Sequence, residues 1–137
     1  NNLKIINNYK KQYKKAIENF NNENYIEFMY SAPSLIENIL KKFLLQLDGD
    51  FLSFRDKNLI EKSLNQMLLQ LIEDKNCYMD KYILRYISYA LVDTDGLNLR
   101  NEVLHGNYED NYFNKENAMY IYVILIYLIR YFSYDEE

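Results

Sequence analysis

The run AMYIYVILIYLIRYF, residues 118–132, is the most apolar stretch of the chain. Its apolar side chains lie almost all round a helix, which is typical of a helix in the middle of a bundle or at an oligomer interface. These fifteen residues include five Tyr or Arg and fall short of the roughly 20 apolar residues that span a bilayer. We therefore expect a buried helix, capped by Asn114 and ending near Tyr134, and no membrane association.

The rest of the sequence repeats apolar residues at intervals of three and four, the spacing of one helix face. Three glycines and one proline leave little room for a fold rich in β-hairpins. We predict one all-α domain over residues 1–137, a bundle of about five or six helices. Because the chain begins with Asn1 rather than Met, we expect it to be the C-terminal part of a longer protein. The predicted helices cover about residues 3–20, 25–47, 56–74, 79–92, 97–104 and 114–134.

Single residues set some of these boundaries. Pro33 predicts a bend or break in the second helix, with Ser31 capping a new helix that begins just after it. Residues 48–50 are expected to end that helix. Ser53 or Asp56 is expected to cap the third helix, because short polar side chains accept hydrogen bonds from the first free amides of a helix.

The formal net charge of −4 argues against a protein that coats nucleic acid through a general positive potential. It still allows a nuclease with a small focused site. Lys10, Lys11, Lys14 and Lys15 lie off the apolar stripe of the first helix. A solvated helix face is the favoured explanation of these lysines, and a strip that binds RNA is the alternative.

Cys77 is the only cysteine, so no internal disulfide can form, which fits a reducing, cytoplasmic compartment. A free buried thiol is favoured over a catalytic one, because no second histidine is available to activate it. One histidine and one cysteine do not make a strong metal-binding constellation. We predict neither a metal nor another cofactor.

The only histidine lies in the run RNEVLHG, residues 100–106. Histidine gains and loses a proton near neutral pH, and the guanidinium of Arg100 presents a planar fork that fits phosphate oxygens. On a continuous helix Arg100 and His105 would be rotated by roughly 140° from each other, whereas Asn101 and His105, four apart, share a face. Gly106 suits the left-handed conformation that ends a helix, which would place His105 at the C-terminal end.

Cleavage of RNA by general acid–base catalysis needs two proton-transfer groups, and each chain has one histidine. A symmetric homodimer would bring two histidines and two arginines to one cleft. The competing interpretation is a capped helix end with no catalytic role, in which Arg100 forms a surface ion pair with Glu102 or Asp95.

The wider run GLNLRNEVLHG, residues 96–106, resembles the signature of the HEPN superfamily. These are small α-helical domains marked by Arg, four to six residues, then His, usually with a polar residue directly after the Arg. The resemblance implies a metal-independent endoribonuclease that acts on RNA as a homodimer, often in toxin–antitoxin, abortive-infection or other antiviral systems. Arg100 and His105 would then be the catalytic pair, and Asn101 a polar support.

Four further residues are candidates for the cleft through the same resemblance. Some members carry Glu, three residues and two basic residues on an earlier helix that lines the cleft, and Glu37, Lys41 and Lys42 have that spacing. A solvated helix face gives the same spacing. Tyr108 is the fourth candidate in the cleft. It follows His105 by three places, whereas members modified by a nucleotidyltransferase antitoxin have Tyr at two, so control by Tyr modification is not expected.

Two alternatives to a ribonuclease stay open. Some HEPN domains have lost catalysis and serve as nucleotide-binding or dimerisation modules, and the acidic balance and the Asn1 start favour such a module in a larger protein. The other alternative is a plain helical oligomerisation domain. The partners expected for the ribonuclease are an RNA substrate, a second copy of the chain, and an antitoxin or an N-terminal regulatory region.

Overall fold

The computed structural model describes residues 2–47, 52–55, 58–106 and 109–133. Over these residues the regular secondary structure is helical apart from one short β-hairpin, which was not predicted, so the all-α class is confirmed. The seven α-helices are more than the five or six expected. The helices are α1 (Asn2–Asn8), α2 (Lys10–Asn21), α3 (Tyr25–Gln46), α4 (Leu64–Glu73), α5 (Lys81–Leu91), α6 (Leu99–His105) and α7 (Lys115–Ser133). The hairpin pairs β1 (Leu52–Arg55) antiparallel to β2 (Asn58–Glu61), and a 3-10 turn covers Asp110–Tyr112.

The single helix predicted for residues 3–20 is wrong, because Tyr9 divides it into α1 and α2. Its backbone leaves the helical range, with φ −110° and ψ 13°, and its amide donates to the carbonyl of Ile6 at 3.0 Å. Both α1 and α2 pack against α3 and α7. Each of the two helices contributes buried apolar side chains to the core, among them Ile6 from α1 and Phe20 from α2.

The predicted break at Pro33 is also wrong, since α3 continues through it for 22 residues. Ser31 is no cap: its hydroxyl donates to the carbonyl of Glu27 at 2.8 Å, within the helix. Pro33 removes one backbone hydrogen bond. Met29 before it and Ile36 after it are fully buried, so core packing on both sides keeps the helix continuous. The end expected at residues 48–50 lies outside the described residues.

The third predicted helix begins eight residues later than expected, at Leu64. Ser53 lies in β1, where it pairs with Ile60, and Asp56 lies outside the described residues. The cap of α4 is Ser63, whose hydroxyl accepts from the amide of Gln66 at 3.2 Å, while the Gln66 side chain accepts from the Ser63 amide at 2.9 Å. This reciprocal pair fixes the first turn of α4.

Helix α3 organises the bundle, because it packs against α1, α2, α4, α6 and α7. Helix α7 packs against α1, α2, α3 and α5. The short α6 lies against α3 and α5, so its position depends on both. In the part of the chain that the structure describes, no helix combines the length and apolar character needed to cross a membrane.

The turn between α4 and α5 holds Cys77, a free cysteine that is 7% exposed. The expectation of a buried free thiol is confirmed. Burial raises the pKa of this thiol, and the nearby Asp74 carboxylate adds to the effect. A thiol that is both buried and protonated is a poor nucleophile.

Candidate functional site

The start of α6 is fixed by a close approach to the end of α5. Gly96 makes this approach possible, because a Cβ there would lie 2.4 Å from the carbonyl oxygen of Tyr89. The amide of Leu97 donates to the same carbonyl at 2.9 Å. Any residue larger than glycine would push this turn, and the helix that follows it, away from α5.

Asn98 precedes α6 in the left-handed conformation, with φ 51° and ψ 35°. Asparagine is one of the few residues other than glycine that adopts it readily. The Asn98 backbone carbonyl accepts the first helical hydrogen bond, from the amide of Glu102 at 3.0 Å, and its side-chain Oδ1 accepts from Nδ2 of Asn101 at 2.8 Å. Asn98 was not among the predicted site residues, although its spacing of three from Asn101 is the available signal.

The guanidinium of Arg100 is held from two sides. Its Nε and Nη2 donate to the same carboxylate oxygen of Glu37, Oε2, at 3.0 and 2.9 Å. Its Nη1 donates to Oδ1 of Asn101 at 3.2 Å. The side chains of Arg100 and Glu37 are only 27% and 18% exposed, so the pair is partly shielded from water. A continuous set of hydrogen bonds therefore runs from Asn98 through Asn101 and Arg100 to α3.

This arrangement leaves part of the guanidinium free to bind another group. A guanidinium has five N–H donors, of which Glu37 and Asn101 take three. The two others, one on each Nη atom, have no acceptor in the described ranges. Free N–H groups of an arginine are donors for phosphate oxygens.

The His105 side chain, unlike that of Arg100, is not held in place by described residues. His105 is the last residue of α6, is exposed, and its ring forms no hydrogen bond or ion pair with another described residue. The helix ends, as predicted, at Gly106, which has φ 65° and whose amide donates to the carbonyl of Val103 at 3.1 Å. Because α6 is continuous from Arg100 to His105, the two side chains leave the helix roughly 140° apart. One chain does not bring them to a shared face.

Of the other predicted site residues, Glu37 lies beside Arg100. The ion-pair partner of Arg100 is therefore Glu37, and not Glu102 or Asp95 as the competing interpretation expected. Lys41 is half-buried one turn further along the same face of α3, whereas Lys42 is exposed and turned away by about 100°. Tyr108 lies outside the described residues.

A concave surface lies between α5 and α7. It encloses about 590 Å³ and is lined mainly by apolar atoms. Met119 and Val123 of α7 are 38% and 48% exposed, and the Tyr86 hydroxyl donates to the Tyr120 carbonyl at 3.1 Å. The residues that line it are Tyr86, Lys115, Glu116, Met119, Tyr120 and Val123.

Among the described residues, no group of three or more His, Cys, Asp or Glu side chains is placed to hold a metal ion. Comparison with known proteins adds no identification. No protein-family model matches the chain, and neither a curated protein nor a solved structure does. Function is therefore inferred from the residues around α6.

Proposed function

We propose that this protein is a metal-independent endoribonuclease of the HEPN type, and that Arg100 and His105 carry out the reaction. The observation that supports this most is the state of the Arg100 guanidinium. Glu37 and Asn101 fix its orientation while two of its N–H groups stay available for phosphate oxygens. An exposed histidine ends the same short helix.

The proposed reaction is attack of a ribose 2′-hydroxyl on the adjacent phosphate. One histidine accepts the hydroxyl proton, a second protonates the leaving 5′-oxygen, and the arginines stabilise the negative charge of the transition state. The products are a 2′,3′-cyclic phosphate and a 5′-hydroxyl. Single-stranded or looped RNA is the expected substrate, because the 2′-hydroxyl must move into line with its phosphate and a stacked A-form helix resists this.

A homodimer is part of the proposal. Each chain supplies one histidine, and it leaves α6 about 140° from Arg100. Two copies related by a two-fold axis would place the His105 ring of each beside the Arg100 of the other, and so complete one cleft from two identical helices. We further propose that the enzyme acts in the cytoplasm, in a toxin, abortive-infection or antiviral system, restrained by an antitoxin or an N-terminal region.

The test is incubation of total RNA with the purified protein in EDTA, using wild type, His105→Ala and Arg100→Ala. We expect wild type to cleave and to leave cyclic-phosphate ends, and each variant to lose at least about 100-fold in rate, the scale of one general acid–base group. Lys81→Ala, an exposed change on α5, is the control that should cleave like wild type. Cleavage that survives in both site variants, or that needs a divalent metal, contradicts the proposal.

The second candidate is a non-catalytic binding or oligomerisation module. The apolar concave surface between α5 and α7 favours it, because exposed Met119 and Val123 suit an interface in which α7 contacts a second chain. Expression of the domain in cells separates the two functions. A ribonuclease arrests growth in a manner that depends on His105, whereas a module leaves growth unchanged and loses its dimer when Val123 is replaced by Glu.

A further inference from the structure

The charges of the chain are strongly segregated. Residues 1–17 contain five lysines and no Asp or Glu. Because the whole chain carries −4, the other 120 residues carry −9. The positive charge of the first two helices therefore stands out against an acidic molecule, and it attracts an approaching polyanion.

The lysines of α2 are available to bind. Lys10, Lys11 and Lys14 are exposed, and none forms an ion pair with a carboxylate in the described ranges. Lys15 lies 3.7 Å from Glu18, but these side chains are 63% and 60% exposed, and ion pairs of that kind contribute little. The four ammonium groups thus keep most of their charge for a ligand. We refer to Lys10, Lys11, Lys14 and Lys15 as the lysine face.

Two concave surfaces adjoin the lysine face, and no carboxylate among the described residues is named in the lining of either. One encloses about 680 Å³ along the junction of α1 and α2, and it is lined by Asn7, Asn8, Lys10, Lys11, Gln12 and Lys14. The other encloses about 310 Å³ between α2 and α3, and it is lined by Lys11, Gln12, Lys15, Ala16, Ser31 and Leu35. Ammonium, amide and hydroxyl donors in a groove match the oxygens of a phosphodiester backbone.

The second groove is one helix away from the candidate catalytic residues. Leu35 lines the groove on the α2 side of α3, while Glu37, about 160° further round the same helix, contacts Arg100. A helix with its side chains is about 10–12 Å across, so a strand of a few nucleotides can pass from the groove over α3 to Arg100. Ser34 and Lys42 are exposed on the surface of α3 that such a strand would cross.

The ion pair at the site explains why a second attractive region is needed. At long range the Glu37 carboxylate offsets the charge of Arg100, so the guanidinium can bind and orient a scissile phosphate in direct contact but adds little to the attraction of RNA from solution. We propose that the lysine face binds the phosphate backbone of the single-stranded RNA substrate and supplies most of its binding free energy. This inference rests on the proposed ribonuclease function.

The experiment measures binding of a labelled 20-nucleotide single-stranded RNA to His105→Ala, over a range of salt concentrations. The test variant adds Lys10→Gln, Lys11→Gln and Lys14→Gln. The matched control adds Lys75→Gln, Lys81→Gln and Lys115→Gln, three exposed lysines outside the face, so both variants have the same net charge. Glutamine has a helix propensity close to that of lysine, and circular dichroism checks that both variants fold.

We expect the Kd of the test variant to be at least tenfold higher than that of the parent at low salt. The slope of log K against log salt should become smaller by about 2, because three phosphate contacts are lost and each contributes about 0.7 for a single strand. The control variant should bind within twofold of the parent. In the background with His105 intact, the test changes should raise KM and leave kcat unchanged, the result for lost ground-state binding.

The possible results separate the two proposals. If wild type cleaves RNA but the test and control variants bind alike, the lysine face is not the binding surface and the ribonuclease proposal stands. If wild type does not cleave while RNA still binds through the lysine face, the ribonuclease proposal fails and the binding surface stands. Absence of RNA binding by the parent overturns the inference.

Discussion

The two ends of α6 are built in opposite ways. At the N-terminal end, Gly96 fixes the turn against α5, Asn98 takes a left-handed conformation, and Asn101 and Glu37 hold the Arg100 guanidinium. At the C-terminal end, Gly106 closes the helix and the His105 ring has no partner among the described residues. Both ends belong to a helix of seven residues.

The difference matches what each side chain has to do in the proposed reaction. A guanidinium that stabilises a transition state works best when it is already oriented, because no free energy is then spent on ordering it during the reaction. A histidine that transfers protons in a site completed by a second chain has to reach across an interface, and an exposed ring can adopt the required rotamer. Substitutions at the two ends should therefore have different effects on stability.

The largest effect is expected at the turn before α6. Gly96→Ala places a methyl group 2.4 Å from the Tyr89 carbonyl oxygen, and the loop or α5 must move to accept it. We expect a loss of about 3 kcal/mol in the free energy of unfolding and a fall of about 10 °C in Tm. Thermal denaturation followed by circular dichroism measures it. An unchanged Tm would mean that this turn does not position α6.

A smaller loss is expected when the Arg100 pair is broken. Glu37→Ala leaves a partly buried guanidinium without its carboxylate, which should cost about 2 kcal/mol, whereas Glu37→Gln keeps an acceptor and should cost about half as much. Urea denaturation of the two variants gives the comparison. Equal losses would show that packing of the side chain, rather than its bond to Arg100, stabilises this contact.

At the C-terminal end, Gly106→Ala should cost about 1 kcal/mol. Nothing lies within 4 Å of the added Cβ, so the whole cost comes from the left-handed backbone conformation. Gly106→Asn, which tolerates that conformation better, should recover part of it. Chemical denaturation of the pair decides the point, and a larger loss for Asn than for Ala would contradict this explanation.

The smallest effect is expected for His105→Ala, which should change the free energy of unfolding by less than about 0.5 kcal/mol. The ring is exposed and makes no hydrogen bond within the described ranges, so its removal takes little from the folded state. Loss of activity with an unchanged melting curve would identify His105 as functional. A large loss of stability would instead assign it a structural role.

The parts of the fold that were predicted correctly depend on residues that lie close together in the sequence. Gly106 ends α6 in the left-handed conformation, and Asn114 caps α7, its Oδ1 accepting from the amide of Asn117 at 2.8 Å. The predicted bounds of the fourth and last helices lie within about two residues of α5 and α7. Each of these features depends on residues a few positions apart, and short-range physics decides them.

The errors came from contacts between distant parts of the chain. The two pieces into which Tyr9 divides the first helix both pack against α3 and α7, and core contacts on both sides keep α3 continuous through Pro33. The family resemblance suggested Glu37 as a residue of the cleft. It did not predict the hydrogen bond between Glu37 and Arg100, which joins positions 63 apart. Neither periodicity nor capping rules contain such information, because it depends on how the helices pack.

The buried Cys77 gives the protein an internal probe of its own opening. Since the chain has one thiol, a thiol-specific reagent labels one place, and it reacts mainly with molecules in which the turn between α4 and α5 has separated from the core. The raised pKa of the folded thiol slows any direct reaction further. The labelling rate, followed by mass spectrometry in the absence of denaturant, therefore measures how often the turn around Cys77 opens in each variant of α6.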